Sequence, residues 1–320
     1  MQKLPLLLAL CASSTAAAPL VWSWATPSTF IHCSNSSGPL SPAAASAMAT
    51  ASFAVIEKYQ SLLQPPVRTG GELKVTEAAL QVRALNPNAT LIFYFAVDYT
   101  RGWYDLGRWF DEHSSLQVHD AEGRRVNHTD SDGGAPNNWG IFDWAQPLAR
   151  SAWVDRIASV VGTADASGGN LFDGVFIDGY RSPASWTAGL MPNASQAEQA
   201  AWLAGAALLG PALAAALPSG STRFINPGQV YSSFPGYNAN SIEFFTADDA
   251  SIQALQALQG QFATVEVHAY SGADLGKFNA TLAAYLLGAF EGAYFGAGAQ
   301  WAQCDDWRAW CWGVAPRAPP

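Results

Sequence analysis

Charged residues are scarce in this sequence: Asp, Glu, Lys and Arg together make up 13% of its 320 positions. The 16 basic residues are scattered among 25 acidic ones, for a formal charge of −9. Without a basic cluster the chain lacks the electrostatic footprint of a nucleic-acid partner or of an anionic membrane surface. Histidine is sparse too, with five residues at 32, 113, 119, 128 and 268 and no metal-ligand spacing among them. His113 and His119 beside Asp111 or Asp120 read as a solvated loop rather than a cation site. There is no GxSxG elbow, P-loop, GxGxxG or HExxH motif, so no metal or cofactor is expected. After the first residues no apolar run reads as a membrane span.

What is present begins with MQKLPLLLALCASSTAAAP. One lysine, an apolar stretch and a run of small residues make residues 1–18 a secretory signal peptide, too short to span a bilayer. An exported, soluble protein follows, in a secreted or other endomembrane or cell-wall setting. Five sequons, at Asn35, Asn88, Asn127, Asn193 and Asn279, agree with that route. Removal of Cys11 with the leader leaves Cys33, Cys304 and Cys311, an odd number in an oxidising compartment. If CDDWRAWC is helical, rise alone separates Cys304 and Cys311 by about 10 Å, too far for a disulfide. That favours Cys33 bridging to one of them; a looped tail leaves the Cys304–Cys311 pair open.

Between residues 20 and 315 short β-branched or aromatic runs alternate with helix-like segments. The strands expected are 20–25, 52–57, 90–97, 172–178, 222–226, 240–245, 263–269 and 292–296. Most are continuous apolar runs, as parallel strands covered on both faces require. The segment 52–57 also reads as helix. Pro147 opens a helix, Ser195-Gln-Ala-Glu198 is a capping box, Thr76 caps Glu77–Leu85, and 274–289 carries Leu275, Phe278, Leu282, Tyr285 and Leu286 on one face. Eight strands alternating with helices predict an α/β chain folded as a single (β/α)8 TIM barrel over 19–315, without an accessory β-domain. A long loop insertion occupies 98–144 and a short tail 316–320.

In such barrels the working groups sit at the C-terminal strand ends. The expected ends carry Trp24, Glu57, Asp98, Asp178, Asn226 and Glu243, with Glu266 and His268 just inside. Asp178 closes the run FDGVFIDGY, placing a carboxylate at the end of a strand buried on both faces. Paired carboxyls from separate strands are what glycosidic hydrolysis needs: one protonates the leaving oxygen, and the other attacks the sugar or activates water.

The elements NPNATLIFYFAVD, IFDWAQPLARSAWVDRI and FDGVFIDGY, with the glutamate of SIEFF, resemble glycoside hydrolase barrels of unassigned specificity. They are similar in layout to the α-galactosidase and endo-α-1,4-polygalactosaminidase groups. The resemblance spans most of 86–246 and implies a nucleophile ending strand four and an acid/base ending strand six. By position these are Asp178 and Glu243. The implied partner is an oligo- or polysaccharide, held by Trp24, Asp98, Trp144, Tyr180 and Asn226, with Glu266 and His268 as further contacts. Plainer readings stand beside these. Asp178 could cap the turn at Gly179, Glu243 could pair with Arg181 or Arg223, and Glu266 with His268 could form a buried network. The loop tryptophans could anchor loops, and the same mouth would serve a barrel that binds glycans without cutting them. Separation of the two carboxyls distinguishes cutting from binding.

Overall fold

The computed structural model describes residues 20, 22–25, 28–65, 69–130, 137–179, 191, 194–227, 234–270 and 274–298. Eight strands form one parallel sheet: β1 (Phe30–Cys33), β2 (Phe53–Ile56), β3 (Leu91–Ala96), β4 (Gly174–Asp178), β5 (Thr222–Ile225), β6 (Ala239–Ile242), β7 (Thr264–Tyr270) and β8 (Ala293–Gly298). Each strand pairs with its neighbour in sequence order. Phe295 N–H donates to Ser28 O at 3.0 Å, and Thr29 bridges Phe295, so the last strand returns to the approach of the first and the barrel is nearly closed. The ambiguous segment at 52–57 is a strand, β2.

Seven strands lie where the apolar runs predict them; the first does not. Among the described residues, 20 and 22–25 lie at the barrel floor in no strand. Trp22 donates its indole N–H to Ala293 O at the foot of β8, and its ring meets that of Trp24 edge-on. The true β1 is FIHC, a run interrupted by a histidine.

Because side chains alternate along a strand, every second residue enters the lumen. The lower lumen is aromatic: Phe53 lies 5.3 Å from Phe30, 5.1 Å from Phe224 and 5.2 Å from Tyr294, ring centre to ring centre. Gly296 on β8 makes room for this layer, since a Cβ there would stand 2.6 Å from the Phe30 ring. Higher in the barrel His32, two residues beyond Phe30 on β1, meets Glu266 of β7, Ser241 of β6 joins them, and the lumen turns polar.

Helices α1 (Pro42–Thr50), α2 (Gly71–Leu85), α3 (Asp105–Glu112), α4 (Pro147–Val161), α5 (Gln196–Ala206), α6 (Leu209–Ala216), α7 (Asp249–Ala257) and α8 (Leu275–Gly288) supply the outer layer. The Ser195 capping box forms as its spacing requires. Helix α2 begins five residues before the expected Thr76 cap, and Thr76 donates back to Glu72 O within the helix. On α8 the buried positions are Thr281, Ala284, Tyr285 and Gly288, while Leu275 and Leu286 face solvent. The stretch Gln196–Ala216 is long and apolar enough to cross a membrane by length and composition, contrary to the sequence reading. Here it is two helices, and Trp202, Ala206, Leu209 and Leu213 are buried in the core.

The insertion after β3 carries α3 and an antiparallel ribbon, Asn127–Asp130 with Asn137–Gly140. A carboxylate from α2 fastens it. Buried Glu72 accepts the backbone N–H of Asp105 at 2.6 Å and of Leu106 at 3.0 Å, and the guanidinium of Arg156 at 3.0 Å. The negative charge thus meets the positive N-terminal end of α3 and its unsatisfied amides. Glu72→Ala leaves those donors buried and unpaired. It is expected to lower unfolding free energy by about 2–4 kcal/mol, read by urea denaturation, and to expose 98–146 to limited proteolysis first.

Candidate active site

Asp178 is the last residue of β4, and its side chain enters the upper lumen 17% exposed. The chain turns immediately at Gly179 with φ +84°, where a Cβ would stand 2.6 Å from the Asp98 carboxylate; only glycine meets both demands. Asp178 Oδ1 accepts the Gly179 N–H at 2.8 Å and the Asn226 side-chain amide at 2.9 Å. Its Oδ2 accepts the Tyr94 hydroxyl and lies 3.7 Å from the Lys58 ammonium. Lys58 also donates to the Tyr94 hydroxyl at 3.1 Å. Burial pushes the Asp178 pKa up, but Lys58, Arg101 and the Tyr94 hydrogen bond outweigh it, and the carboxyl ends below its ordinary range.

Glu243 follows β6 and takes the opposite direction. Burial first, then the Asp178 charge, raise it to about 7 against the pull of Asn226, Tyr270 and Lys58. One amide joins the two acids: Asn226 Nδ2 donates to Asp178 Oδ1 at 2.9 Å and to Glu243 Oε2 at 3.0 Å. Two oxygens each about 3 Å from one nitrogen are at most about 6 Å apart. Tyr270 donates its hydroxyl to the other Glu243 oxygen at 3.3 Å. Arg223 plays no part in this pair: it donates to Gly236 O and Ser221 O at the foot of β5. Arg181 lies outside the described residues.

Beneath this pair lies a buried ionic layer. His32 Nδ1 meets Glu57 Oε1 at 2.7 Å and Nε2 meets Glu266 Oε2 at 2.9 Å, while Ser241 donates to Glu266 Oε1 at 2.6 Å. Burial pushes the His32 pKa down, but Glu266 and Glu57 overcome it and raise the imidazole to about 10. His268 goes the other way, held below its ordinary range by burial and by the charge on His32.

The sequence-expected contacts divide. Asp178, Asn226 and Glu243 converge on the mouth. Glu266 and His268 face the lumen, but Glu266 is fully buried and its partner is His32, not His268. Asp98 is buried and accepts the Tyr99 N–H at 3.0 Å, so it orders the start of the insertion. Trp144 is buried in the core, donating to Val97 O at 3.1 Å and stacking on Phe142, away from the mouth. Trp24 is 68% exposed at the opposite end. Tyr180 lies outside the described residues, as do Asn193, Cys304, Cys311, residues 1–18 and the tail. Cys33 is buried at the end of β1. Of the sequons, Asn88 and Asn279 are exposed, while Asn35 and Asn127 are half-buried with their side-chain amides donating to Pro39 O and Arg125 O.

The sequence reading missed Lys58, Tyr94, Tyr270, Arg101 and His32. Tyr94 carried a signal, standing two residues before Ala96 in the inward register of β3. Arg101 did not, because its burial depends on Tyr99, Trp103 and Trp139, whose rings lie 4.9, 5.9 and 5.4 Å from the guanidinium.

No protein-family model matches the chain, and no curated protein matches it in sequence. Solved structures match its fold. The glycoside hydrolase domain of PelA from Pseudomonas aeruginosa is 18% identical with a TM-score of 0.49, over 88% of this chain and 96% of that one. Alpha-L-fucosidase isoenzyme 2 from Paenibacillus thiaminolyticus is 13% identical with a TM-score of 0.51, over 85% of this chain and 46% of that one. The GH36 alpha-galactosidase AgaA from Geobacillus stearothermophilus is 11% identical with a TM-score of 0.47, over 87% and 39%. The likeness is one of fold: a TIM-type barrel of the kind glycoside hydrolases use.

The ionic layer predicts a pH signature. A histidine raised in the folded state from 6.5 to about 10 stabilises fully below pH 6.5 and loses that contribution as pH rises toward 10. Glu243, raised from 4.5 to about 7, loses its contribution in the lower window between those values. His32→Gln is expected to cost about 3–5 kcal/mol near pH 6, with the gap to wild type narrowing as pH approaches 10. Urea denaturation across pH 5–10 measures both windows, and the lower one should survive the substitution.

Proposed function

We propose that the chain is a glycoside hydrolase acting by double displacement, with Asp178 as nucleophile and Glu243 as acid/base. The observation that carries this reading is the shared Asn226 amide, which holds an ionised and a protonated carboxyl on one mouth. Their nearest oxygens are at most about 6 Å apart, short of the roughly 6.5–9.5 Å an inverting enzyme needs and near the roughly 5–5.5 Å of a retaining one.

In the first step Asp178 Oδ attacks the anomeric carbon while Glu243 gives its proton to the glycosidic oxygen. The C–O bond to the leaving group breaks, the leaving alcohol departs with that proton, and a glycosyl ester remains on Asp178. Esterification removes the Asp178 charge, the second-largest cause raising Glu243, so the Glu243 pKa falls once the ester has formed and the residue stays ionised, as the base of the second step requires. In the second step Glu243 takes a proton from water, the hydroxide oxygen bonds to the anomeric carbon, and Asp178 leaves as carboxylate. Lys58 and the Tyr94 hydroxyl stabilise that leaving carboxylate. No cofactor takes part in this scheme.

The substrate class proposed is an oligo- or polysaccharide. Export by the leader, a bridge from Cys33 to Cys304 or Cys311, and glycans at exposed Asn88 and Asn279 belong to the same proposal.

The test is kinetic. Asp178→Asn should abolish turnover while retaining the fold by circular dichroism. Glu243→Gln should lower kcat/KM about 10²–10⁴-fold on sugars with poor leaving groups and far less on 2,4-dinitrophenyl glycosides, which need no proton. Wild-type kcat/KM should fall above about pH 7 as Glu243 ionises, and that limb should vanish in the variant. Proton NMR of the first product should show the anomeric configuration of the substrate; inverted product excludes double displacement. Sugar binding with no cleavage anywhere in a panel of α- and β-glycosides leaves a glycan-binding barrel.

A further inference from the structure

Phe244 immediately follows Glu243 and sits in the left-handed backbone region, with φ +61°. That conformation is costly for a bulky residue, and the only other non-glycine residue holding it among the described residues is Ser61. The side chain is also 57% exposed, so the strain does not serve to bury it in the core. Its neighbour Phe245 is buried and donates its N–H to His268 O at 2.9 Å, locking the backbone on one side of the reversal. The consequence is to turn the Phe244 ring outward, parallel to Tyr270, with centres 5.0 Å apart and planes within 28°. Tyr270 in turn stacks on His268 at 4.9 Å and 10°. Three rings therefore climb from the lumen to the rim, and the middle one donates its hydroxyl to Glu243.

We infer that the exposed Phe244 ring is the platform for a sugar on the leaving-group side of the bond, so that the preferred substrate carries a pyranose ring as its leaving group: a disaccharide or longer chain. This rests on the hydrolase reading above. An acid that protonates the glycosidic oxygen lies beside the leaving group, not beneath the sugar that is attacked. A ring attached to the next residue, and stacked on the tyrosine that holds that acid, lies on the same side. The apolar C–H face of a pyranose stacks on an aromatic ring as other flat ligands do, and a ring more than half exposed has a face to offer. A loop anchor would instead be covered by what it anchors.

The experiment compares two leaving groups on one sugar. The α- and β-glycosyl fluorides of glucose, galactose and N-acetylgalactosamine expel a fluoride ion with no ring, whereas the matching disaccharides expel a pyranose. Phe244→Ala should lower kcat/KM on the disaccharide cleaved by wild type about 5–10-fold and leave the fluoride of the same sugar within about twofold, an effect of one stacking contact. Phe244→Trp should restore the disaccharide rate. Phe244→Gly should show the same selective loss while Tm rises by about 1–3 °C, because glycine relieves the positive φ. Equal loss on both substrates, loss on neither, or a drop in Tm for Phe244→Gly assigns the residue a structural role and overturns the platform. A wild-type protein that cleaves nothing in the panel counts against the hydrolase reading itself, which Asp178→Asn then cannot alter.

Discussion

A single amide nitrogen sets the conditions under which everything else at the mouth operates. Asn226 Nδ2 spends one hydrogen on Asp178 and the other on Glu243. An amide donates equally well to either acid, so it fixes their separation without deciding which is ionised. That decision comes from the surroundings. Asp178 has a lysine, an arginine and a tyrosine hydroxyl aimed at it. Glu243 has burial and the charge of Asp178. Two carboxyls at this distance cannot both ionise cheaply, so once Asp178 is the stabilised anion its neighbour must hold the proton. In the proposed mechanism asymmetry, not proximity, gives the pair its chemistry.

Maintaining that asymmetry costs buried charge, and the barrel distributes the cost over layers. Each buried ion needs a partner or it unfolds the site. Lys58 faces Asp178 and the Tyr94 ring, and Arg101 lies among three aromatic rings supplied by the insertion. Below them His32 lies between two glutamates, a separate ionic system in which one imidazole bridges both acids. The insertion therefore acts on the site from a distance. Its aromatics place Arg101, Arg101 helps hold Asp178 ionised, and Glu72 on α2 fixes the insertion to the barrel.

This chain of dependence explains what the sequence disclosed and what it hid. Strands β2 to β8 were legible because a strand covered on both faces must be apolar throughout, and Asp178, Asn226 and Glu243 stood out at the ends of such runs. Inward alternation then carried all three to one opening. Strand β1 was hidden by its own function: His32 interrupts the run, and the glutamates that justify its burial lie 25 and 234 positions away. Lys58 and Arg101 were hidden for the same reason, since a buried cation is recognisable only from partners brought by the fold. Trp144, expected among the sugar contacts, misled in the other direction. Trp144, Trp153 and Trp202 each give an indole N–H to a backbone carbonyl, of Val97, Ala96 and Phe142, and so fasten the outer layer to the end of β3 and to the insertion. All three belong to the scaffold.

What then remains for contact with a ligand is small, and its smallness is informative. Trp103, Tyr104, Trp139 and Trp144 are all buried, so none of these four rings of the insertion has a free face at the mouth. Phe244 does, and it occupies the position where its exposure is least expected on grounds of stability, on a strained backbone beside the acid. Strain and exposure both oppose folding, and a position that keeps both is maintained by something other than the stability of the isolated chain. The ladder His268–Tyr270–Phe244 supplies the connection: the ring that meets solvent leans on the ring whose hydroxyl holds Glu243. In the proposed hydrolase, a sugar pressed against the outer rung would restrict the middle one and with it the orientation of Glu243, so that binding and proton transfer would share a mechanical path one side chain long.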